Sequence, residues 1–159
     1  MPQRQVVDTS AWIEWMSDTA LGQSLVQDFP EPEHCIVPTM VLLELSKWLH
    51  RGTHDHDPGE ILAIATGCDV QPLDEETALL AAQFGKSHRL TTADSAIYAT
   101  ARRHDAELIT CDADFNGLPS VRFYPKHSAA GRSRPGVSPS GQWEHWPTSD
   151  QFQLKGLPA

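Results

Sequence analysis

Four carboxylates stand where a folded chain could present them together: Asp8 in VVDTSAW, Glu44 in VLLELSKWL, Asp94 in TTADSAIYATA and Asp112 in LITCDADF. Carboxylates brought close repel one another, so a convergent group persists mainly when a divalent cation neutralises it. If these four meet, they form a metal site. The chemistry of such a site is that of a bound water made more nucleophilic as its pKa falls.

Convergence depends on the elements that carry the acids. Gln5 to Asp8 is a short β-like run ending at an acid, and Ser10 reads as the N-cap of a helix over Ala11 to Met16. A second helix is expected from Leu21 to Phe29. After the breaker PEPEH, Cys35 to Val37 reads as the second strand. Thr39 can cap the next helix, in which Val41, Leu42, Leu45, Trp48 and Leu49 recur at helical spacing. At about 100° per residue, Glu44 falls on the flank of that apolar face. A helix after Pro58, a third strand over Cys68 to Leu73 and a helix over Glu75 to Lys86 follow. Thr92 is the expected cap of a helix from Ala93 to Arg103, which puts Asp94 in its first turn. Glu107 to Thr110 and Val121 to Tyr124 complete five strands. Strands alternating with helices predict an α/β fold, a three-layer α/β/α sandwich around a mainly parallel sheet. Sites in such sheets lie beyond the carboxyl ends of the strands, where Asp8 and Asp112 both fall.

The 159 residues suit one domain with a substantial core. No run approaches the roughly 20 apolar residues that cross a bilayer, and the polar start MPQRQVVDTS does not read as a secretory signal. A cytoplasmic protein is the expectation. Cys35, Cys68 and Cys111 lie in or beside apolar runs without zinc-ligand spacing, as reduced buried thiols would. A net charge of −9 excludes a nucleic-acid coat protein but not an enzyme whose acidic centre is neutralised by metal.

The set of acids, in this order and on these elements, resembles the PIN-domain ribonucleases, in particular the toxins of VapBC-type toxin–antitoxin pairs. The resemblance rests on VVDTSAW, the acid within VLLEL, TADSAIYATA and ITCDADF, and covers about Arg4 to Pro125. It implies cleavage of RNA dependent on Mg²⁺ (Mn²⁺ possible), a cognate antitoxin that blocks the site, and a homodimer. It implies Asp8, Glu44, Asp94 and Asp112 as catalytic and metal-binding acids. Ser10, Thr110 and Asp114 match supporting positions. Glu44 would bind metal or orient the attacking water, giving a 5′-phosphate and a 3′-hydroxyl.

Other constellations are weaker. His50, His54 and His56 in HRGTHDHD lack a Cys or fourth ligand and read as a surface loop. No GxSxG elbow or glycine-rich phosphate loop is present. Trp12, Trp15 and Trp48 read as core or interface anchors, with Trp12 or Trp15 candidates for a dimer face. Lys86, Arg89, Arg102 and Arg103 could line an RNA-binding rim. Two further functions compete: a non-catalytic PIN-like module that docks RNA or protein, and a small-molecule phosphohydrolase. The latter wants a second Asp two residues after the first, where this chain has Ser10.

The chain divides into a nuclease-like body, 1–125, and a stretch, 126–159, for which the resemblance offers no counterpart. That stretch opens as a Gly/Pro/Ser-rich linker with Lys126, Arg132 and Arg134. It then gains Trp143, Trp146, Phe152 and Leu154, and Trp143, Trp146 and Phe152 are expected to dock on the body or a second subunit.

Overall fold

Short runs of β-branched and aliphatic residues build the sheet. Val6, Val7, Ile36, Val37, Leu108 and Ile109 are all fully buried, the pattern of parallel strands covered on both faces. The computed structural model describes residues 2–126, so the expectations for Trp143, Trp146, Phe152 and Leu154 lie outside the described residues.

Among the described residues five parallel strands are present: β1 (Gln5–Val7), β2 (Cys35–Pro38), β3 (Asp69–Gln71), β4 (Glu107–Thr110) and β5 (Val121–Phe123). Their order is β3-β2-β1-β4-β5. Six helices connect them: α1 (Thr9–Met16), α2 (Ala20–Asp28), α3 (Thr39–Leu49), α4 (Pro58–Gly67), α5 (Glu75–His88) and α6 (Thr92–Arg103). The result is the expected three-layer α/β/α arrangement. Register pairs Val6 with Ile36 on one side and with Leu108 on the other. The chain builds outward from β1 to β3, then crosses back to lay β4 on the far side of β1. The strand order therefore reverses between β1 and β4, which is where open α/β sheets form their crevice.

Three caps differ from expectation. Helix α1 begins at Thr9 with Asp8 in the cap position, because the Ser10 hydroxyl is engaged elsewhere, as shown below. Thr39 begins α3, and its Oγ1 accepts the Leu73 N–H at 3.1 Å. Helix α6 is capped by Thr91 rather than Thr92. Thr91 Oγ1 accepts the Asp94 N–H at 3.2 Å and donates back to Asp94 Oδ2 at 2.7 Å, a reciprocal box. Helix α5 runs two residues past Lys86 and stops where Arg89 turns left-handed at φ 57°.

Trp12 and Trp15 do not form a surface. They are 0% and 1% exposed and pack with Phe29, Trp12 meeting it edge-on at 4.8 Å and Trp15 stacked at 4.6 Å. The dimer face expected there is excluded by burial. Trp48 is only partly buried, on the edge of the core. Cys35 and Cys111 are buried free thiols, and Cys68 is a half-buried one. No helix among the described residues is long and apolar enough to cross a membrane.

Candidate metal centre and its cleft

The site is built at the β1–β4 crevice. Asp8 is the first residue past β1. Its N–H donates to the Ile109 carbonyl of β4 at 2.9 Å, and its carbonyl accepts the N–H groups of Ala11 and Trp12 at 3.0 Å. One backbone unit thus ties the central strand, its neighbour and the first turn of α1. The side chain is buried, with 4% exposure. Its Oδ2 accepts from Ser10 Oγ at 2.6 Å and from Thr110 Oγ1 at 2.9 Å.

Those two hydroxyls have second tasks. Ser10 Oγ accepts the Cys111 N–H and Thr110 Oγ1 accepts the Asp112 N–H, each at 3.0 Å. They fix where the chain leaves β4 and so where Asp112 stands. Asp112 Oδ1 then accepts the Asp114 N–H at 2.9 Å, opening the 3₁₀ turn Ala113–Phe115, with Phe115 fully buried beneath it. Asp94 is held by Thr91 at the start of α6. Glu44, half-buried on α3, is held by Thr9 Oγ1 at 2.7 Å.

These restraints bring the predicted acids together, in two overlapping sets. Asp94, Asp112 and Asp114 each offer an oxygen within 4.8 Å of the others. Asp8, Glu44, Asp94 and Asp112 all line one cleft of about 290 Å³. Asp114 belongs to the first set and not to the second. Thr110 is fully buried behind the site and acts through Asp8 and Asp112.

The electrostatics report the same convergence. Asp8 is pushed up to about 6, first by burial, with the charges of Asp94 and Glu44 adding and the hydroxyls of Ser10 and Thr110 opposing. Asp94 is raised first by burial and then by Asp112, Glu44 and Asp114, against the Thr91 hydroxyl. Five acids therefore act on one another, and their repulsion is what a cation would relieve. The donor set is entirely oxygen, with no thiol or imidazole among the lining groups. That chemistry fits a hard divalent ion of the Mg²⁺ type.

Sequence reasoning missed part of the cleft. Thr9 and Thr91 hold the acids. Ile13, Lys47, Trp48 and Arg51 form walls. A signal existed: Glu44, Lys47 and Trp48 recur at i, i+3 and i+4 on one helix face, and Arg51 follows at i+7 just past the helix end. The expected basic rim is different. Arg103 is drawn into ion pairs with Asp74, at 2.7 Å, and with Glu76, and Arg102 donates to Ser120 Oγ at 2.8 Å. The histidine loop brings no cluster of ligands together among the described residues; His54 instead stacks on Trp48 at 4.3 Å.

Comparison with known proteins gives one family and one fold. The PIN domain family model matches residues 6–120, a span that takes in all the acids above. No match is found among curated proteins. A toxin–antitoxin complex from Klebsiella pneumoniae superimposes with a TM-score of 0.67 at 20% identity, over 77% of this chain and 99% of that one. VapC20 of Mycobacterium tuberculosis, a toxin that cleaves the sarcin–ricin loop, gives 0.59 at 19% identity, over 72% and 95%. The FitAcB structure from Neisseria gonorrhoeae gives 0.60 at 21%, over 76% and 96%. At these identities the likeness is one of fold.

Proposed function

The chain belongs to the PIN domain family, and from that premise we propose that it is a metal-dependent endoribonuclease, the toxin of a toxin–antitoxin pair. The observation that carries the reading is the convergence of Asp8, Glu44, Asp94 and Asp112 on one cleft. Mg²⁺, or Mn²⁺, would supply an activated water and charge stabilisation at the leaving 3′ oxygen. Asp94 and Asp112 are the central ligands in this reading, with Asp114 as an auxiliary one. Asp8 contributes charge from below, its orientation fixed by Ser10 and Thr110. Glu44, steadied by Thr9, binds metal or orients the attacking water. Hydrolysis by water leaves a 5′-phosphate and a 3′-hydroxyl.

The chain's own geometry disfavours the phosphohydrolase reading. The residue two after Asp8 is Ser10, and its hydroxyl is spent on the Asp8 carboxylate. A non-catalytic module would have no use for so costly a group of acids. An antitoxin partner is supported by the fold likeness to the Klebsiella pneumoniae toxin–antitoxin complex. We extend the reading to a cytoplasmic homodimer with a body ending near Pro125. Leu43 and Leu79, 55% and 62% exposed on α3 and α5, are better candidates for a shared face than the buried tryptophans.

The test is RNA cleavage by the full chain purified free of antitoxin. Cleavage in millimolar Mg²⁺ or Mn²⁺ that stops with chelator is expected. Wild-type, metal-dependent rates in Asp94→Asn would sink the residue assignment. A second expectation is thermodynamic. Metal at ten times its Kd should stabilise the fold by about 1.4 kcal/mol, read as a rise in melting temperature. No shift at any millimolar concentration would count against a formed site.

A further inference from the structure

The cleft has two unlike banks. One is acidic and carries the chemistry proposed above. The other is the end of α3 and the turn that follows it: Lys47 and Trp48 line the cleft one turn beyond Glu44, and Arg51 lines it from just past the helix end. Four of the other cations in the described region sit in ion pairs: Arg4 with Asp69, Arg103 with Asp74 and Glu76, Arg122 with Glu107, and Lys126 with Glu14. Lys47 and Arg51 form no ion pair among the described residues, although acids line the same cleft. In a chain of net charge −9, two exposed cations beside the reacting centre stand out against their surroundings.

Trp48 lies between them in the helical order. It is half-buried, so its base is anchored while part of the ring reaches the cleft. His54 lies nearly parallel to it, 13° off at 4.3 Å, which fixes the indole plane. A ring held in this way presents a surface at little entropic cost, and a nucleobase stacks on any aromatic face. From Glu44 to Leu49 the helix rises about 7.5 Å, and Arg51 follows two residues later, so the bank extends beyond the acids.

We infer that Lys47, Trp48 and Arg51 form the strand-holding bank of this cleft, the two cations taking backbone phosphates of single-stranded RNA and Trp48 stacking one of its bases. The inference rests on the nuclease reading for its substrate class and adds the residues that hold that substrate. Phosphates approaching four carboxylates meet repulsion, and cations fixed on the facing helix offset it where metal does not reach. Preference for single strands follows, since a paired base has no free face to stack.

The experiment is fluorescence-anisotropy binding of a labelled single-stranded RNA oligomer by the full chain, in an Asp94→Asn background and across a salt series. Cleavage kinetics are measured in parallel with Asp94 intact. Lys47→Gln with Arg51→Gln is expected to weaken binding about tenfold and to lower the slope of log affinity against log salt by about 1.4, two single-strand phosphates at about 0.7 each. KM should rise more than kcat falls. The control, Lys86→Gln with Arg89→Gln, removes two cations that do not line the cleft and should leave the slope within error. Trp48→Leu keeps apolar volume and loses the stack, so binding should fall about tenfold, whereas Trp48→Phe should retain most of it. Melting temperatures check that both variants fold. Unchanged affinity and slope in the Lys47/Arg51 double variant overturn the inference. If no RNA is cleaved in any metal but binding still depends on Lys47 and Arg51, the nuclease reading fails and the bank stands.

Discussion

Asp8→Asn is expected to stabilise the metal-free protein at pH 7 while slowing metal-dependent RNA cleavage on the order of 10²–10³-fold, the usual effect of losing a charge-placing group. The stability gain follows from the environment of this one carboxylate. Asp8 titrates in the fold at about 6, above the ordinary 3.8, chiefly because it is buried and secondarily because Asp94 and Glu44 face it. The fold therefore favours its protonated form. Its contribution is fully present below about pH 4 and is lost as pH rises to about 6 and beyond. At about 1.4 kcal/mol for each pH unit of that interval, the charged carboxylate costs on the order of 2–3 kcal/mol at neutral pH. Asparagine carries no charge, and its carbonyl can still accept from Ser10 and Thr110. Urea titrations in chelator at pH 4.5, 5.5 and 7 should show the native chain losing stability across that window and the variant losing much less. Asp94 shifts in the same direction and leaves some residual slope. Asp74, held low by Thr77 and then Arg103, acts with the opposite sign, but only below about pH 4, so the two do not overlap. A variant that is less stable at pH 7, or an unchanged slope between pH 4 and 6, would refute the account. With saturating Mg²⁺ the order should reverse, because the native carboxylate then gains a partner.

The acids that this prediction concerns were readable from the chain because each follows a recognisable local signal. Asp8 and Asp112 close runs of β-branched residues, and Asp94 opens a helix behind two threonines. Those signals are local, and so is the periodicity that placed all five strands and six helices. What resisted reading was contact across the sheet. Ser10 looks like a helix cap, and only the family resemblance marks it as a support for the acids, a role its bond to Asp8 fits; nothing near it in sequence shows that its hydroxyl also receives the Cys111 N–H about a hundred positions away. Thr91 and Thr92 are equivalent caps on paper, and the reciprocal bond to Asp94 chooses between them. Lys47 and Arg51 carry no such signal, because the periodicity of α3 marks its apolar face and leaves Glu44 on the flank. The cleft exists only once that flank is turned toward Asp8 and Asp112. Trp12 and Trp15 were placed correctly as anchors, but burial removes them from any surface role.

That burial makes the second large effect. Trp12→Ala should cost about 3–5 kcal/mol, the range for removing a large aromatic from a packed core. Trp12 is 0% exposed and meets Trp15 at 5.6 Å and Phe29 at 4.8 Å, both edge-on, so two ring contacts are lost at once. Its backbone N–H also closes the first turn of α1 on the Asp8 carbonyl. A cavity beneath that turn loosens the segment Asp8 to Ser10, and cleavage should fall with stability. Trp12→Phe should cost far less, about 1–2 kcal/mol. The indole N–H makes no hydrogen bond among the described residues, so phenylalanine abandons no partner. Denaturant midpoints rank the three proteins, and sedimentation equilibrium reads their association. If Trp12 anchored a dimer, the alanine variant would keep its midpoint and lose mass; a core residue lowers the midpoint and leaves the subunit count of the folded fraction unchanged. The second result is expected, because a side chain with no accessible surface can reach another subunit only after α1 has already come away from the sheet.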